Sequence, residues 1–380
     1  EWLPRLKALC AQIQAGKGII LAQDITQTPI LKLDPKRHQP QTLLPGLDLV
    51  PLLPPASRRG WTTHTLRIQR PLQEKVNKVF GELGYYGSLV LMDLKDGGLV
   101  CAYQRNHPDR SGLSPFEHLF EPGSVIKVLT LALYHSHPGL THLFPLACEG
   151  AIRIGDRTFY DWWKHGEVAD PEHALAVSCN IAFARMGLAM GIDRLRKNLQ
   201  ALGFSAAPLQ DAPFTFHLGT LNTSGRDDWA CAQTAIGLET VRMTTLHGAL
   251  LAATIALDGR CPQPYLVETR KTPFDTLLDH HKVSWLPWSI PAVAAARTRK
   301  AMAAVLTHPE GTGRRIEGDL SMGLKTGTAG DSKLGLDTVL LGFYPLENPT
   351  HSFAVFLSRA GKAEWAGARL MNALIPHLPR

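Results

Sequence analysis

The sequence predicts an α+β fold, in which an antiparallel five-stranded sheet is flanked by helices and carries an inserted all-helical lobe. Strand patterns occur in two blocks of the 380-residue chain, two strands within residues 88–103 and three within residues 320–358. Residues from about 125 to 310, between the blocks, are mostly helical in pattern. We therefore expect the two blocks to form one sheet, with the lobe inserted between its strands.

The first block consists of a helix followed by a hairpin. Apolar residues recur at helical spacing over residues 71–83, and Pro71 suits the first turn of a helix. Residues 88–93 and 99–103 have the composition of strands, and Lys95-Asp96-Gly97-Gly98 between them is typical of a hairpin turn. The sequence thus predicts a helix that leads into two paired strands.

The second block closes the chain. Residues 320–328, 338–344 and 352–358 are predicted strands, and a proline-bounded turn at residues 345–349 joins the last two. Residues 363–378 follow with the pattern of an amphipathic helix.

Residues 1–60 differ from the rest of the chain. Seven prolines lie between residues 29 and 55, a density that disfavours long helices and central strands. We expect residues 24–60 to be an extended linker or the tail of an upstream module. The predicted division is an N-terminal segment of residues 1–60, or a remnant of that module, and a domain of residues 61–380.

Composition excludes two classes of protein. With 44% hydrophobic and 19% charged residues, the chain is typical of a globular domain, and no run of about 18 apolar residues predicts a transmembrane helix. The net charge of +7 is mild, and Lys and Arg are scattered rather than clustered on one face. We therefore expect no nucleic acid partner.

No metal or other cofactor is expected. The cysteines include no Cys-x-x-Cys pair, and their wide spacing argues against a zinc site. Several histidines match no ligand template and are interpreted as structural or surface residues. The residues concerned are Cys10, Cys101, Cys148, Cys179, Cys231, Cys261, His135, His137, His142, His280 and His281.

The first candidate motif is Ser124-Val125-Ile126-Lys127, which follows Pro122-Gly123 at a predicted helix entrance. A serine in the first helical turn lies near unpaired N–H groups and the positive dipole end, which favour developing negative charge. Lys127 lies one turn further along an apolar helix, where desolvation would lower its pKa. The alternative is a capping serine with a solvated lysine, because Ser-x-x-Lys is common by chance.

The second candidate motif is Ser178-Cys179-Asn180. Residues i and i+2 do not share a helix face, so both polar groups reach one cleft only from a loop or turn. In that case Ser178 would relay a proton and Asn180 would bind a substrate amide and steady Lys127. The alternative is a helix N-cap, for which Ser and Asn are both favoured. Cys179 is interpreted as a packing residue.

The third candidate motif is Lys325-Thr326-Gly327-Thr328, in a strand pattern. Glycine inside a strand indicates that another group approaches the backbone closely there. We expect that group to be a substrate peptide lying along the strand. The threonine hydroxyls would hold a carboxylate, and Lys325 would add positive charge. A strand end before a glycine turn is the alternative.

Taken in this order, the three motifs resemble the penicillin-binding protein transpeptidase family, whose relatives include serine β-lactamases and penicillin-sensing receptors. The hairpin at residues 85–103, residues 159–163 and Ala235-Ile236-Gly237 are also similar to family segments. The resemblance covers residues 61–380 and is strongest to the class B type. Leu238 departs from the family, where Gln is frequent. Trp162 and Trp163 are interpreted as packing residues of the lobe, with the lining of a substrate groove as the alternative.

The resemblance implies a role for each matching residue. Ser124 is the acylated nucleophile, Lys127 takes its proton, and Ser178 with Lys325 relays a proton to the leaving amine. Asn180 orients the substrate. Backbone N–H groups of Ser124 and Thr328 form the oxyanion hole, while Thr326, Gly327 and Thr328 bind the substrate. The implied substrates are D-Ala-D-Ala stem peptides of peptidoglycan, with β-lactams as inhibitors.

Three other functions are weighed against a D,D-transpeptidase. A D,D-carboxypeptidase would use the same residues. A non-catalytic penicillin-binding sensor or scaffold would keep the fold, with or without an acylatable serine. A β-lactamase needs a base for deacylation, and neither Glu239 nor Glu268 has the expected context. The resemblance also implies an extracytoplasmic location, an upstream anchor and other cell-wall synthesis proteins as partners.

Overall fold

The computed structural model describes residues 19–34, 39–49, 62–108, 112–272, 276–318, 321–330 and 333–380, together with residues 7 and 11. No helix within these residues is long and apolar enough to cross a membrane.

The described strands and helices are numbered separately in chain order. The strands are β1 (Ile19–Asp24), β2 (Pro29–Asp34), β3 (Gln39–Thr42), β4 (Thr63–Leu66), β5 (Gly87–Asp93), β6 (Leu99–Arg105), β7 (Leu146–Cys148), β8 (Ala151–Ile154), β9 (Arg157–Tyr160), β10 (Gly166–Val168), β11 (Leu209–Asp211), β12 (Phe214–Phe216), β13 (Thr220–Leu221), β14 (Val241–Arg242), β15 (Val267–Lys271), β16 (Leu277–His280), β17 (Gly323–Ala329), β18 (Asp337–Tyr344) and β19 (His351–Leu357). The α-helices are α1 (Arg70–Leu83), α2 (Lys127–His135), α3 (Pro171–Ala176), α4 (Asn180–Met190), α5 (Ile192–Ala201), α6 (Asp228–Ile236), α7 (Thr245–Ala256), α8 (Ala292–Thr307) and α9 (Ala363–Leu374).

The central sheet has five antiparallel strands in the order β17-β18-β19-β5-β6. This confirms that the first and last strand blocks join in one sheet. Residues on one face of β18 and β19, such as Leu341 and Ala354, alternate with residues on the other, such as Leu340. Helix α7 approaches the Ala354 face and α9 the Leu340 face. The sheet is therefore buried between helices, and β17 lies at its edge.

The inserted lobe contains α2 to α6 and α8, but it is not purely helical. The short strands β7 to β14 form two-stranded ribbons at its surface, with β10 paired to β7 and β9 paired to β8. Helix α2 lies inside the lobe, because its residues from Lys127 to Tyr134 are all buried. The ribbons are too short to carry a periodic signal, which is why the sequence predicted helices alone.

The expected extended linker is wrong for residues 29–34 and 39–42, which are strands. Together with β1 they belong to a second sheet, in the order β16-β15-β4-β1-β2-β3. The prolines are compatible with this sheet because Pro29 is the first residue of β2 and Pro40 lies in β3 at the sheet edge. This sheet crosses the predicted boundary at residue 60, and the origin of residues 1–60 in an upstream module stays a prediction.

Gln73 of α1 connects the helix to the sheet and to the N-terminal segment. Its amide nitrogen donates hydrogen bonds to the carbonyl oxygens of Ala102 at 2.8 Å and Gly46 at 3.3 Å. Its amide oxygen accepts from the backbone N–H of Ala102 at 3.3 Å and from the Cys101 thiol at 3.0 Å. The side chain is completely buried, so each of these bonds forms away from water.

We expect Gln73→Leu to lower the free energy of unfolding by about 1–3 kcal/mol, because it leaves buried backbone groups of β6 without their partner. Urea unfolding followed by fluorescence would measure the change. Lys75→Ala, an exposed position on the same helix, is the matched control. A loss no larger than that of the control would contradict the assignment.

Candidate active site

A single turn of 3₁₀ helix, Gly123–Ile126, carries Ser124 at the entrance of α2. Val125 and Ile126 are buried and fix the turn, whereas Ser124 stays partly exposed. Gly123 has φ +55°, and a Cβ there would lie 2.8 Å from the carbonyl oxygen of Thr328. Its N–H donates to the carbonyl oxygen of Gly237 at 3.0 Å. The turn is thus held by backbone contacts on two sides.

Lys127 is completely buried one turn after Ser124. Its ammonium group donates to the carbonyl oxygen of Ser178 at 2.7 Å, to Ser178 Oγ at 3.2 Å and to Asn180 Oδ1 at 2.6 Å. Burial lowers the pKa of Lys127 to about 8, although the nearby charge of Asp161 acts in the opposite direction. A lysine with this pKa can accept a proton near neutral pH.

The second motif forms the turn between α3 and α4. Ser178 has φ +58°, a left-handed conformation that turns the chain before α4 begins at Asn180. The cap of α4 is neither Ser178 nor Asn180, because Cys179 Sγ accepts the N–H of Ala182 at 3.3 Å. Both polar side chains are therefore available to the same cleft, as the loop or turn interpretation required.

Lys325 approaches Ser178 from the opposite side, on the edge strand β17. Its completely buried ammonium group donates to Ser178 Oγ at 3.0 Å and to the carbonyl oxygen of Thr326 at 2.8 Å. Burial and the neighbouring charge of Lys127 hold the pKa of Lys325 well below its ordinary value. Two lysines thus meet at one hydroxyl oxygen, and this hydroxyl can pass a proton between a lysine and a group in the cleft.

Gly327 of the third motif has no room for a side chain, because the turn that carries Ser124 packs against it. A Cβ on Gly327 would lie 2.8 Å from the carbonyl oxygen of Pro122 and 3.0 Å from Val125 Cγ1. A substrate peptide is the approaching group expected from the sequence, whereas the segment that approaches the Cα of Gly327 belongs to the protein itself. Strand β17 and the turn of Ser124 are consequently in direct backbone contact.

These elements enclose a cleft with a volume of about 270 Å³. Trp162 is 51% exposed and lines the cleft, and Trp163 is 66% exposed, so their interpretation as packing residues is wrong. Leu238 gives the cleft an apolar wall. The other lining residues are Gly123, Ser124, Ser178, Asn180, Ile236, Thr312, Thr326, Thr328, Lys362, Ala363 and Glu364.

Sequence reasoning missed two residues of this region. Asp161 has a completely buried side chain, and its Oδ2 accepts the N–H of Ile181 in the first turn of α4 at 3.3 Å. Burial alone would raise the pKa of Asp161, but His165 and the charge of Lys127 lower it below its ordinary value. Thr312 accepts a hydrogen bond from Thr326 Oγ1 at 2.7 Å. Its position in Gly311-Thr312-Gly313 was the one available signal.

Part of this chain is similar in sequence to known proteins. Over 208 residues the chain is 33% identical to the peptidoglycan D,D-transpeptidase PbpA of Mycolicibacterium smegmatis, which covers 52% of this chain and 40% of that protein. The chain spans less than half the length of the curated relatives it matches.

Two solved structures cover nearly the whole chain. Penicillin-binding protein A from M. tuberculosis, as its ceftriaxone acyl-enzyme complex, superposes with a TM-score of 0.81, 17% identity and coverage of 96% of this chain and 98% of that one. The D,D-transpeptidase domain of a peptidoglycan glycosyltransferase from Eggerthella lenta gives a TM-score of 0.79, 19% identity and coverage of 94% and 96%. At this level of identity, the likeness establishes the fold.

The penicillin binding protein transpeptidase domain matches residues 87–375, which include Ser124, Ser178 and the strand of Lys325. The match extends over about three quarters of the chain and over both strand blocks of the central sheet. The chain therefore belongs to the penicillin-binding protein transpeptidase family.

Proposed function

We propose that this protein is a serine D,D-transpeptidase that acts on D-Ala-D-Ala stem peptides of peptidoglycan through an acyl-enzyme on Ser124. The observation that carries the proposal is the convergence of two buried lysines on Ser178 Oγ, beside a partly exposed serine in the same cleft. A buried ammonium pair is costly to maintain, so proton transfer is a better account of it than stability.

In the proposed reaction, neutral Lys127 takes the proton of Ser124 Oγ as the oxygen attacks the penultimate D-Ala carbonyl. The peptide C–N bond then breaks, and the departing amine of the terminal D-Ala receives a proton through Ser178 and the lysines. An amine from a second stem peptide attacks the ester, which restores Ser124 and forms the cross-link. Asn180 lines the cleft and holds Lys127 through Oδ1, and we propose that it also orients the peptide.

The backbone contacts of the nucleophile turn support an oxyanion hole formed by the N–H groups of Ser124 and Thr328. Gly123 and Gly327 allow the turn and β17 to approach within a distance that no side chain would permit. Loss of one such donor costs about 2.7–4 kcal/mol of transition-state stabilisation in other acyl-transfer enzymes. Thr326 and Thr328, which line the cleft beside Lys325, are proposed to bind the substrate carboxylate.

The contacts of two glutamates argue against β-lactamase activity. Glu239 accepts a hydrogen bond from Gln233 at 2.9 Å, and Glu268 lies in β15 of the second sheet, where it accepts from Tyr265 at 3.0 Å. Neither residue lines the cleft, and Glu364, which does line it, accepts from Arg315 Nε at 3.5 Å. β-Lactams are consequently proposed as inhibitors that acylate Ser124 and leave slowly.

Peptidoglycan as the substrate implies that the domain works outside the cytoplasm, with other cell-wall synthesis proteins as partners. These two statements rest on the family and stay predictions, as does an upstream anchor. A D,D-carboxypeptidase would have the same site, because only the acceptor differs. A stem-peptide assay with an added D-amino acid separates the two, since a transpeptidase incorporates the acceptor and a carboxypeptidase releases only D-Ala.

We expect penicillin to label Ser124 covalently and Ser124→Ala to abolish the label, because the ester requires that hydroxyl. Intact-protein and peptide mass spectrometry would detect the adduct, and thermal unfolding would establish that the variant folds. Ser136→Ala, at the other end of α2, should label normally. Labelling of the Ser124→Ala protein would refute the assignment of Ser124 as the nucleophile. Absence of label on the folded wild type would favour the function of a non-catalytic scaffold.

Acylation by penicillin should accelerate about tenfold per pH unit up to about pH 8 and then level off, because only neutral Lys127 accepts the proton. The ionisable groups that face Lys127 are Lys325, Asp161 and the Cys179 thiol, whose pKa burial raises. Lys127→Arg stays charged throughout this range. It should slow acylation by about 10²-fold or more and remove the pH dependence, and a retained profile would exclude Lys127 as the base.

Gly327→Ala is expected to slow acylation by a factor on the order of ten to a hundred, because its methyl group would displace the turn that carries Ser124. Gly81→Ala, where the added methyl group meets nothing within 4 Å, serves as the control. Stopped-flow acylation with a chromogenic cephalosporin measures both rates. Equal rates in the two folded variants would show that the contact between β17 and the turn is not required.

A further inference from the structure

Three side chains with metal-binding groups meet directly behind the second motif, and the His165 side chain lies beside one of them. Cys148 ends β7, Asp161 and His165 follow β9, and Cys179 caps α4. The sulfur atoms of both cysteines and a carboxylate oxygen of Asp161 all lie within 4.8 Å of one another. Cys148 Sγ is 3.4 Å from Asp161 Oδ2. Both cysteines are buried and not in disulfides.

His165 provides an independent observation at the same place. Its side chain is only 4% exposed, and Nε2 lies 3.7 Å from Asp161 Oδ1, on a carboxylate that is completely buried. This nitrogen finds no hydrogen-bond partner among the described residues. A buried polar atom without a partner costs about 1–3 kcal/mol, so this nitrogen, next to one member of a group of three ligand side chains, points to a missing ligand.

We propose that Cys148, Asp161, His165 and Cys179 bind one zinc ion. Tetrahedral zinc with bonds of about 2.0–2.3 Å separates its ligand atoms by about 3.3–3.8 Å. Cys148 Sγ lies 3.4 Å from Asp161 Oδ2 and His165 Nε2 lies 3.7 Å from Asp161 Oδ1, so both neighbours of this carboxylate fall in the range, each beside a different oxygen. Two sulfurs, one imidazole nitrogen and one carboxylate oxygen are a donor set that suits zinc better than Mg²⁺ or Ca²⁺.

Four protein ligands complete a tetrahedron, so the site has no open position for substrate and is structural. Binding displaces the two thiol protons, and the thiolates and carboxylate together carry one negative charge more than zinc neutralises. The N–H of Ala182, which already bonds to Cys179 Sγ, would stabilise the thiolate.

The position of Cys179 connects the metal to catalysis, since it stands between Ser178 and Asn180. Zinc would join this turn to β7 and to the segment of residues 161–165, and so set where both polar side chains meet Lys127. The His165 ring also contacts Trp162, edge to face at 5.3 Å, which lines the cleft. In this arrangement zinc positions one side of the active site without touching the substrate, a role that rests on the proposed function.

The expectation of no metal came from the spacing of the cysteines in sequence. That spacing is irrelevant here, because the four ligands come from three separate segments that the fold brings together.

The first measurement is the metal content of the purified protein by inductively coupled plasma mass spectrometry, where we expect about one zinc per chain. Removal with a chelator should lower the unfolding temperature, and added Zn²⁺, but not Mg²⁺, should restore it. A wild-type protein that holds no zinc and takes up none would overturn the proposal. So would a Cys148–Cys179 disulfide in the non-reduced protein.

Cys148→Ser and His165→Ala should each reduce the zinc content, whereas Cys261→Ser should keep it. Cys261 is a matched control, because it is buried and bonded to a backbone carbonyl outside the cluster. Full zinc content in both ligand variants would assign the metal elsewhere and refute the site.

Penicillin labelling tests the positioning role separately. We expect metal-free protein to label at least tenfold more slowly than zinc-bound protein, with recovery on adding Zn²⁺. Unchanged labelling would overturn this role. Because metal content is measured without acylation, a zinc-bound chain that never labels would refute the proposed function and leave the zinc site intact.

Discussion

The central constraint on this structure is that two buried lysine side chains must be held around one hydroxyl oxygen. Lys127 and Lys325 come from different halves of the chain and meet at Ser178 Oγ, where neither contacts bulk water. Like charges in a low-dielectric interior repel strongly, so the surrounding structure must fix them and satisfy their hydrogen bonds. It does so with the carbonyl oxygens of Ser178 and Thr326 and with Asn180 Oδ1. The central sheet supplies Lys325, the lobe supplies Lys127, and the turn between α3 and α4 supplies Ser178, so all three are required to bring these side chains together.

Sequence patterns predicted the central strands and helix α1. The strands are short apolar runs between turn residues, buried on both faces, and α1 has apolar residues at helical spacing, so both match their predicted ranges to within a few residues. The N-terminal strands were missed because proline density disfavours strands in general. It does not exclude a proline at a strand start or a sheet edge, which are the positions of Pro29 and Pro40.

The site residues that belong to the three sequence motifs were predictable, because the motifs occur in a fixed order along the chain. Motif order indicated Ser124, Lys127, Ser178, Asn180 and Lys325, and the structure brings Lys127, Ser178, Asn180 and Lys325 into one network. Asp161 and His165 could not be found in this way, because a buried aspartate in a loop has no pattern of its own. Their meaning depends on Cys148 and Cys179, which are neighbours only in the folded chain.

The contrast between the floor and the rim of the cleft limits how this chain can vary. Gly123, Gly237 and Gly327 stand where backbone meets backbone with no room for a methyl group, so a substitution there displaces the turn that carries Ser124. Trp162, Leu238, Lys362 and Glu364 line the same cleft with side chains that differ widely in size and charge. Under the proposed function, variants that discriminate between β-lactams are therefore expected at these four rim positions and not at the three glycines.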